Sequence, residues 1–246
     1  ETLLIGDFLF VNKMAYGYSY ASCPNIRWLG RDAKNICAVI DGEKTRVMGS
    51  EPERGDVIVF RHPVSGADFI KRLIGLPGDR IQVTNGVLQI NGTAVALQDA
   101  GDFEELMERQ GPIGSYPRCE NAPVGEGATC AKSRQIETVP GGVEHVILNI
   151  ANQGMDHTGV YQVPDGHYFF MGDNRYNSSD SRLPQSAGGG GLVPFEYLNA
   201  HADRLLFSSA GRSTPYFRAW RDHPFFPGIQ LNFLRPCRHE PPRTLT

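Results

Sequence analysis

Cysteine is scarce in this chain and wrongly spaced for a metal. Cys23, Cys37, Cys119, Cys130 and Cys237 form no C-x-x-C pair, and the seven histidines fall without ligand spacing. Zinc-site and thioredoxin-type redox readings therefore have no support. His-Glu-x-x-His is absent, which removes the zinc-protease helix, and so is Gly-x-Ser-x-Gly, the nucleophile elbow of α/β-hydrolases. No stretch approaches the roughly 18 to 20 continuous apolar residues of a membrane-spanning helix. No charged start followed by an apolar run marks a signal peptide. A charge excess is missing too: 24 basic residues against 27 acidic leave −3, no electrostatic footprint for nucleic acid. Neither a nucleic-acid partner nor a cofactor is expected. The sequence opens on Glu1 rather than Met, directly into Thr2-Leu3-Leu4-Ile5, as a processed chain or a fragment would.

What is present is a run of short apolar segments separated by turn residues, the pattern of a mainly β protein. Strands are expected at 8–11, 57–60, 69–76, 80–84, 87–90, 145–150, 160–163, 167–171 and 202–207. The continuous apolar run 57–60 reads as buried on both faces. Asn85-Gly86 is the strongest hairpin signal, because this dipeptide accepts the positive φ of a type I′ turn. Residues 193–198 can open a short helix, with Pro194 near its first turn. Between about 93 and 142 glycine, proline and charge rise, and 103–108, Phe-Glu-Glu-Leu-Met-Glu, reads as one short helical turn. The domain reading is a discontinuous β core, 1–92 and 143–210, with an inserted smaller β-rich subdomain at 93–142 and an irregular tail at 211–246. A Cys119–Cys130 bridge would close a short loop in the insert and supply about 2–4 kcal/mol. Cys23 and Cys37 either pair similarly or stay free thiols. An oxidising compartment is favoured.

Two segments carry chemistry. The first runs Asp68-Phe69-Ile70-Lys71-Arg72-Leu73-Ile74-Gly75-Leu76-Pro77-Gly78-Asp79. On a strand, Phe69, Lys71 and Leu73 share one face while Ile70, Arg72 and Ile74 share the other. A lysine among apolar neighbours ionises less readily, and its neutral amine can take a proton from a hydroxyl. The plainer alternative is a lysine whose stem lies on apolar surface and whose head reaches water. The second is Gly172-Asp173-Asn174-Arg175-Tyr176-Asn177-Ser178-Ser179-Asp180-Ser181-Arg182, directly after an apolar strand. Its plain reading is a polar turn that satisfies its own backbone. The functional reading pairs Asp180 with Arg182 to fix the loop, leaving a serine hydroxyl to orient a lysine amine.

Taken together, these segments resemble bacterial signal peptidase I. Residues 2–8 look like the stretch after that family's nucleophilic serine, and Arg54-Gly55-Asp56-Val57-Ile58-Val59-Phe60 is similar to its next box. Residues 68–79 match its catalytic-lysine box and 172–182 its Gly-Asp-Asn-Arg-x-Asn-Ser-x-Asp-Ser-Arg box. The resemblance implies a signal-peptidase-like antiparallel β-sheet core and a serine endopeptidase that cleaves signal peptides after Ala-x-Ala. Lys71 is implied to be the general base of a Ser–Lys dyad, Ser178 to hydrogen-bond and so orient its amine, and Asp180 with Arg182 to support the site. Arg72 is implied to be structural, while Leu3, Leu4 and Ile70 line shallow substrate pockets. The nucleophile is expected three residues before Glu1, so the chain as given is expected to be inactive. Implied partners are secretory preproteins and the membrane surface. The implied location is the bacterial inner membrane, with the catalytic domain on the periplasmic face and anchor helices upstream.

Glu1 stands where proline is common in that family and Tyr176 where aspartate is common. The stretch from about 19 to 53 is longer than in many members. The aromatic tail, Trp220, Phe225 and Phe226, either touches the bilayer surface or is an ordinary irregular end. Two other functions remain open: a self-cleaving Ser–Lys repressor protease of the SOS type, which lacks a 172–182 box, and a non-catalytic β-domain that binds extended peptides.

Overall fold

Alternating apolar runs broken by glycine turns fold into antiparallel strands, and their order decides where Lys71 and the 172–182 loop meet. The structure, a computed structural model, describes residues 7–19, 27–28, 31–32, 46, 49–110, 114–151 and 153–208. Leu3, Leu4, Cys23, Cys37 and the tail with Trp220, Phe225 and Phe226 lie outside the described residues.

The main sheet has six strands. β1 (Asp7–Asn12) lies at one edge beside β15 (Leu198–Ser208), followed by β4 (Val57–Arg61), β5 (Asp68–Gly75), β13 (His167–Met171) and β14 (Leu192–Pro194). Every pairing in it is antiparallel. A second sheet orders β12 (Tyr161–Gln162), β6 (Arg80–Thr84), β7 (Val87–Ile90) and β8 (Thr93–Ala94). Its β6–β7 turn has φ of 51° at Asn85 and 76° at Gly86, both in the left-handed region that the Asn-Gly pair tolerates. A third sheet orders β11 (Val143–Asn149), β10 (Thr129–Val139) and β9 (Ala96–Leu106). β2 (Arg27–Trp28) and β3 (Arg31–Asp32) form a short separate pair. Among the described residues, no helix is long and apolar enough to cross a membrane.

Two apolar clusters flank the middle of the main sheet. Ile74, Phe169 and Met171 join Ile81, Val83 and Leu88 on one side. Leu73, Tyr168 and Phe170 join Ile58, Phe60 and Leu198 on the other. The second half of β5 and most of β13 are thus buried on both faces, which anchors the two segments that carry the site.

The structure departs from the sequence reading at four places. Residues 57–60 are not buried on both faces: Ile58 and Phe60 are fully buried, whereas Val57 and Val59 are partly exposed, because only one face of β4 meets the core. Residues 103–108 form no helix. Phe103, Glu104 and Glu105 pair with Lys132, Ala131 and Cys130 across β9 and β10, and this long ladder outweighs a weak local helix preference. The sheet of the insert continues past 142, since β11 pairs with β10 from Val139↔Val143 to Ser133↔Asn149. Residues 193–198 divide into the end of β14 and a 3₁₀ turn, Phe195–Tyr197. Cys119 and Cys130 are bonded, with Cα atoms 5.1 Å apart.

Candidate active site

Lys71 sits in mid-strand on β5, directly across from Ile58 of β4. Strand alternation places it between Phe69 and Leu73, and its Nζ lies 5.9 Å from the centroid of the Phe69 ring. Burial pushes the Lys71 pKa down, and Arg182 pushes the same way; Asp180 and Asp173 oppose them without cancelling the shift. The amine is therefore easier to deprotonate than a surface lysine.

The neighbouring cation points elsewhere. Arg72 donates from Nε and Nη2 to the two carboxylate oxygens of Asp173 at 2.9 and 2.8 Å, and from Nη1 to the Gly55 carbonyl at 2.8 Å. This fork ties the lysine strand to the first turn of the 172–182 loop.

That loop is held by its own charges. Arg182 donates from Nε and Nη2 to Asp180 at 2.9 and 2.8 Å, and also from Nη2 to the Arg175 carbonyl at 2.8 Å. The Gly172 N–H donates to Asp180 Oδ2 at 3.0 Å. Burial by itself raises the Asp180 pKa, but the hydrogen bonds and charge of Arg182, with the Gly172 N–H, outweigh it and hold the carboxyl below its ordinary range. The Asp180–Arg182 pair read from the sequence is thus present and fully buried.

Ser178 is buried, yet among the described residues its Oγ has no hydrogen-bond partner. The expected bond to the Lys71 amine is not formed. The loop is fixed by Asp180, Arg182 and Gly172 rather than by the lysine, and both side chains instead line one cavity of about 350 Å³. An unpartnered buried hydroxyl costs about 1–3 kcal/mol, so a polar group entering the cavity gains by meeting it. Ile70 and Asp173 line the same cavity.

Glycine is required at 172 by close approach: a Cβ there would lie 2.1 Å from Ser178 Oγ and 2.5 Å from Ser178 Cβ. Gly172→Ala is expected to displace Ser178, cost about 1–3 kcal/mol of stability and lower activity, measurable by denaturant melts beside a cleavage assay. Unchanged values in both would show that the loop yields freely.

The insert contributes groups that sequence reasoning passes over. Glu137 of β10 is completely buried and accepts from Arg175 Nη2 at 2.5 Å, while His145 Nε2 lies 3.1 Å away. Burial raises the Glu137 pKa, but Arg175 and His145 overcome this and set it at about 2. Arg175 also donates from Nε to the Gly172 carbonyl at 3.2 Å. Backbone bonds reinforce the junction: Leu148 N–H donates to Asp173 O at 2.8 Å, and Arg175 N–H to Leu148 O at 2.9 Å. The period-two alternation over 129–139 was the available signal, weakened by charged residues on both faces.

Comparison with known proteins places these features among relatives. The family described as "Signal peptidase, peptidase S26" matches residues 1–207. The chain is 35% identical to signal peptidase I of Rickettsia typhi over 216 residues, covering 85% of this chain and 68% of that protein. It is 34% identical to signal peptidase I of Rickettsia massiliae, covering 85% of this chain and 67% of that protein. A signal peptidase I structure from Enterococcus faecalis is 22% identical, covering 63% of this chain and 98% of that chain at a TM-score of 0.33.

Proposed function

This chain belongs to the signal peptidase family, peptidase S26, and from that premise we propose that it is the catalytic part of a serine endopeptidase that removes N-terminal signal peptides from secreted preproteins. The observation that carries this reading is a lysine amine of lowered pKa sharing one cavity with a buried serine hydroxyl that has no hydrogen-bond partner among the described residues.

In the proposed reaction a serine three residues upstream of Glu1 attacks the scissile carbonyl carbon while the neutral Lys71 amine takes its proton. The resulting ammonium returns that proton to the departing amine, leaving an acyl-enzyme. Lys71 then takes a proton from water as the water attacks the ester carbonyl carbon, and returns it to the serine oxygen as that oxygen leaves, which frees the signal peptide and restores the neutral amine. Ser178 presents its hydroxyl to the cavity that holds the amine. Asp180 and Arg182 hold the Ser178 loop, and Arg72 fixes that loop to β5 through Asp173. Ile70 lines a pocket for the small side chains of an Ala-x-Ala site, and the peptide binds extended along a strand edge.

The proposed setting is the periplasmic face of the inner membrane. The Cys119–Cys130 disulfide fits an oxidising compartment. The edge strand β1 and the turn after it expose Phe8, Phe10 and Met14 by 50%, 57% and 63%, side chains suited to a bilayer interface.

The test is incubation of the full-length protein with a preprotein, followed by sequencing of the new N-terminus. One cut after Ala-x-Ala is expected. Preprotein recovered intact but bound would instead favour a peptide-binding domain, and a cut confined to the protein itself would favour a self-cleaving protease.

A further inference from the structure

Apart from the base Lys71, one cation of the cavity has no carboxylate to answer it among the described residues. The charged residues lining the cavity are Lys71, Arg72, Glu105, Arg118, Lys132 and Asp173. Arg72 is committed to Asp173, and Lys132 to Glu105, with side-chain exposures of 9% and 14% in each pair. The second oxygen of Glu105 accepts from Gln110 Nε2 at 2.7 Å, so it has no lone demand for a further cation. Lys71 is the base of the proposed reaction, and burial makes its amine easier to deprotonate. Arg118 is left over: it is exposed, and among the described residues it makes no ion pair.

Its placement is braced rather than incidental. Arg118 precedes Cys119, which is bonded to Cys130 at the start of β10. Beyond the disulfide, Glu120 N–H donates to Ala131 O at 2.8 Å and Asn121 Nδ2 to Thr129 O at 3.0 Å, so the loop is laced along that strand. The Arg118 guanidinium stands 5.5 Å from the centroid of the Tyr176 ring, on the same loop as Ser178. A guanidinium held over an aromatic ring keeps its fork of donors available, and that fork matches a carboxylate. The two internal ion pairs neutralise themselves, so the unspent charge of this cavity wall is positive.

We propose that Arg118 is a specificity-determining residue that selects peptides carrying an acidic side chain close to the scissile bond. The proposal rests on reading the Lys71 cavity as the peptide cleft. The insert thereby does more than brace the site, since it presents the group that reads substrate charge.

The test uses the full-length protein and a preprotein-derived peptide carrying Glu, Gln or Lys in turn at each position flanking the cleavage site. At one position the Glu peptide is expected to exceed the Lys peptide in kcat/KM by about fivefold, the scale of one partly exposed ion pair. Arg118→Glu should reverse that order and Arg118→Gln should level it. The same order is expected in the affinities of these peptides for the Lys71→Ala protein, which binds without turnover. An equal Glu-to-Lys ratio in wild type and Arg118→Glu, in both readouts, overturns the proposal. Charge-selective binding without cleavage of any peptide sinks the protease reading and keeps this one. Lys71-dependent cleavage indifferent to charge does the reverse.

Discussion

Lys71→Ala in the full-length protein is expected to lower kcat for preprotein cleavage by about a hundredfold to ten-thousandfold, the usual contribution of a positioned general base. KM should change far less, because the deleted amine acts in the transition state rather than in binding. Lys71→Arg should be as inactive, since a guanidinium stays protonated at any pH the fold survives and cannot accept a proton. The pH dependence follows from the same cause. The burial-lowered pKa means that the ammonium form predominates below it and the active amine above it, so the rate should rise with pH through a range below that of ordinary lysines. The unfolded chain binds this proton more tightly than the folded one, so the Lys71 contribution to stability also rises with pH through that range. Lys71→Ala should remove the acidic limb of the rate profile together with the rate, and circular dichroism should show the fold retained.

Glu137→Gln is expected to cost about 3–5 kcal/mol, the scale for leaving a buried charge without its partner. The loss arises at Arg175, whose guanidinium is almost fully buried and depends on Glu137 for its charge partner. Because Arg175 also holds the Gly172 carbonyl, and its own carbonyl receives Arg182, the substitution should loosen the Ser178 loop and lower kcat. Removing both charges together, as in Glu137→Gln with Arg175→Met, should cost less than Glu137→Gln alone, which a double-mutant cycle in urea would measure. Acid titration supplies the sign. The Glu137 carboxyl moves from 4.5 to about 2 on folding, so its stabilisation is complete above 4.5 and is lost as pH falls through about 2. The Gln variant should lack that step. Equal stability of the two proteins at neutral pH would refute the charge-pair role.

Local chemistry was legible in the sequence, and long-range pairing was not. The β6–β7 hairpin was readable because Asn85-Gly86 sets its own backbone, and β13 because five consecutive residues, His167–Met171, have one use in a β core. Asp180 and Arg182 were readable as a pair because they stand two residues apart on one loop. The strands β9 and β10 were hidden because their partly exposed faces carry charge, which weakens alternation, and 103–108 has helix-like composition until Lys132 and Cys130 arrive opposite. Glu137 was hidden for a related reason. A carboxylate inside a core makes sense only once an arginine 38 residues away folds over it. The Arg72–Asp173 fork spans a separation of 101 residues, so neither box discloses it alone. The family resemblance implies a direct Lys71–Ser178 hydrogen bond; in the structure the two residues share a cavity, and among the described residues the hydroxyl has no partner.

The most direct measurement is the titration of the Lys71 amine itself, followed by NMR of ¹³Cε-labelled lysine in the full-length protein and assigned by the resonance missing from Lys71→Ala. One lysine signal is expected to titrate below the ordinary lysine range, with a midpoint that coincides with the rise of kcat/KM. A Lys71 signal that titrates at or above the ordinary range, in protein that cleaves preprotein fully at neutral pH, would contradict the assignment of Lys71 as the base.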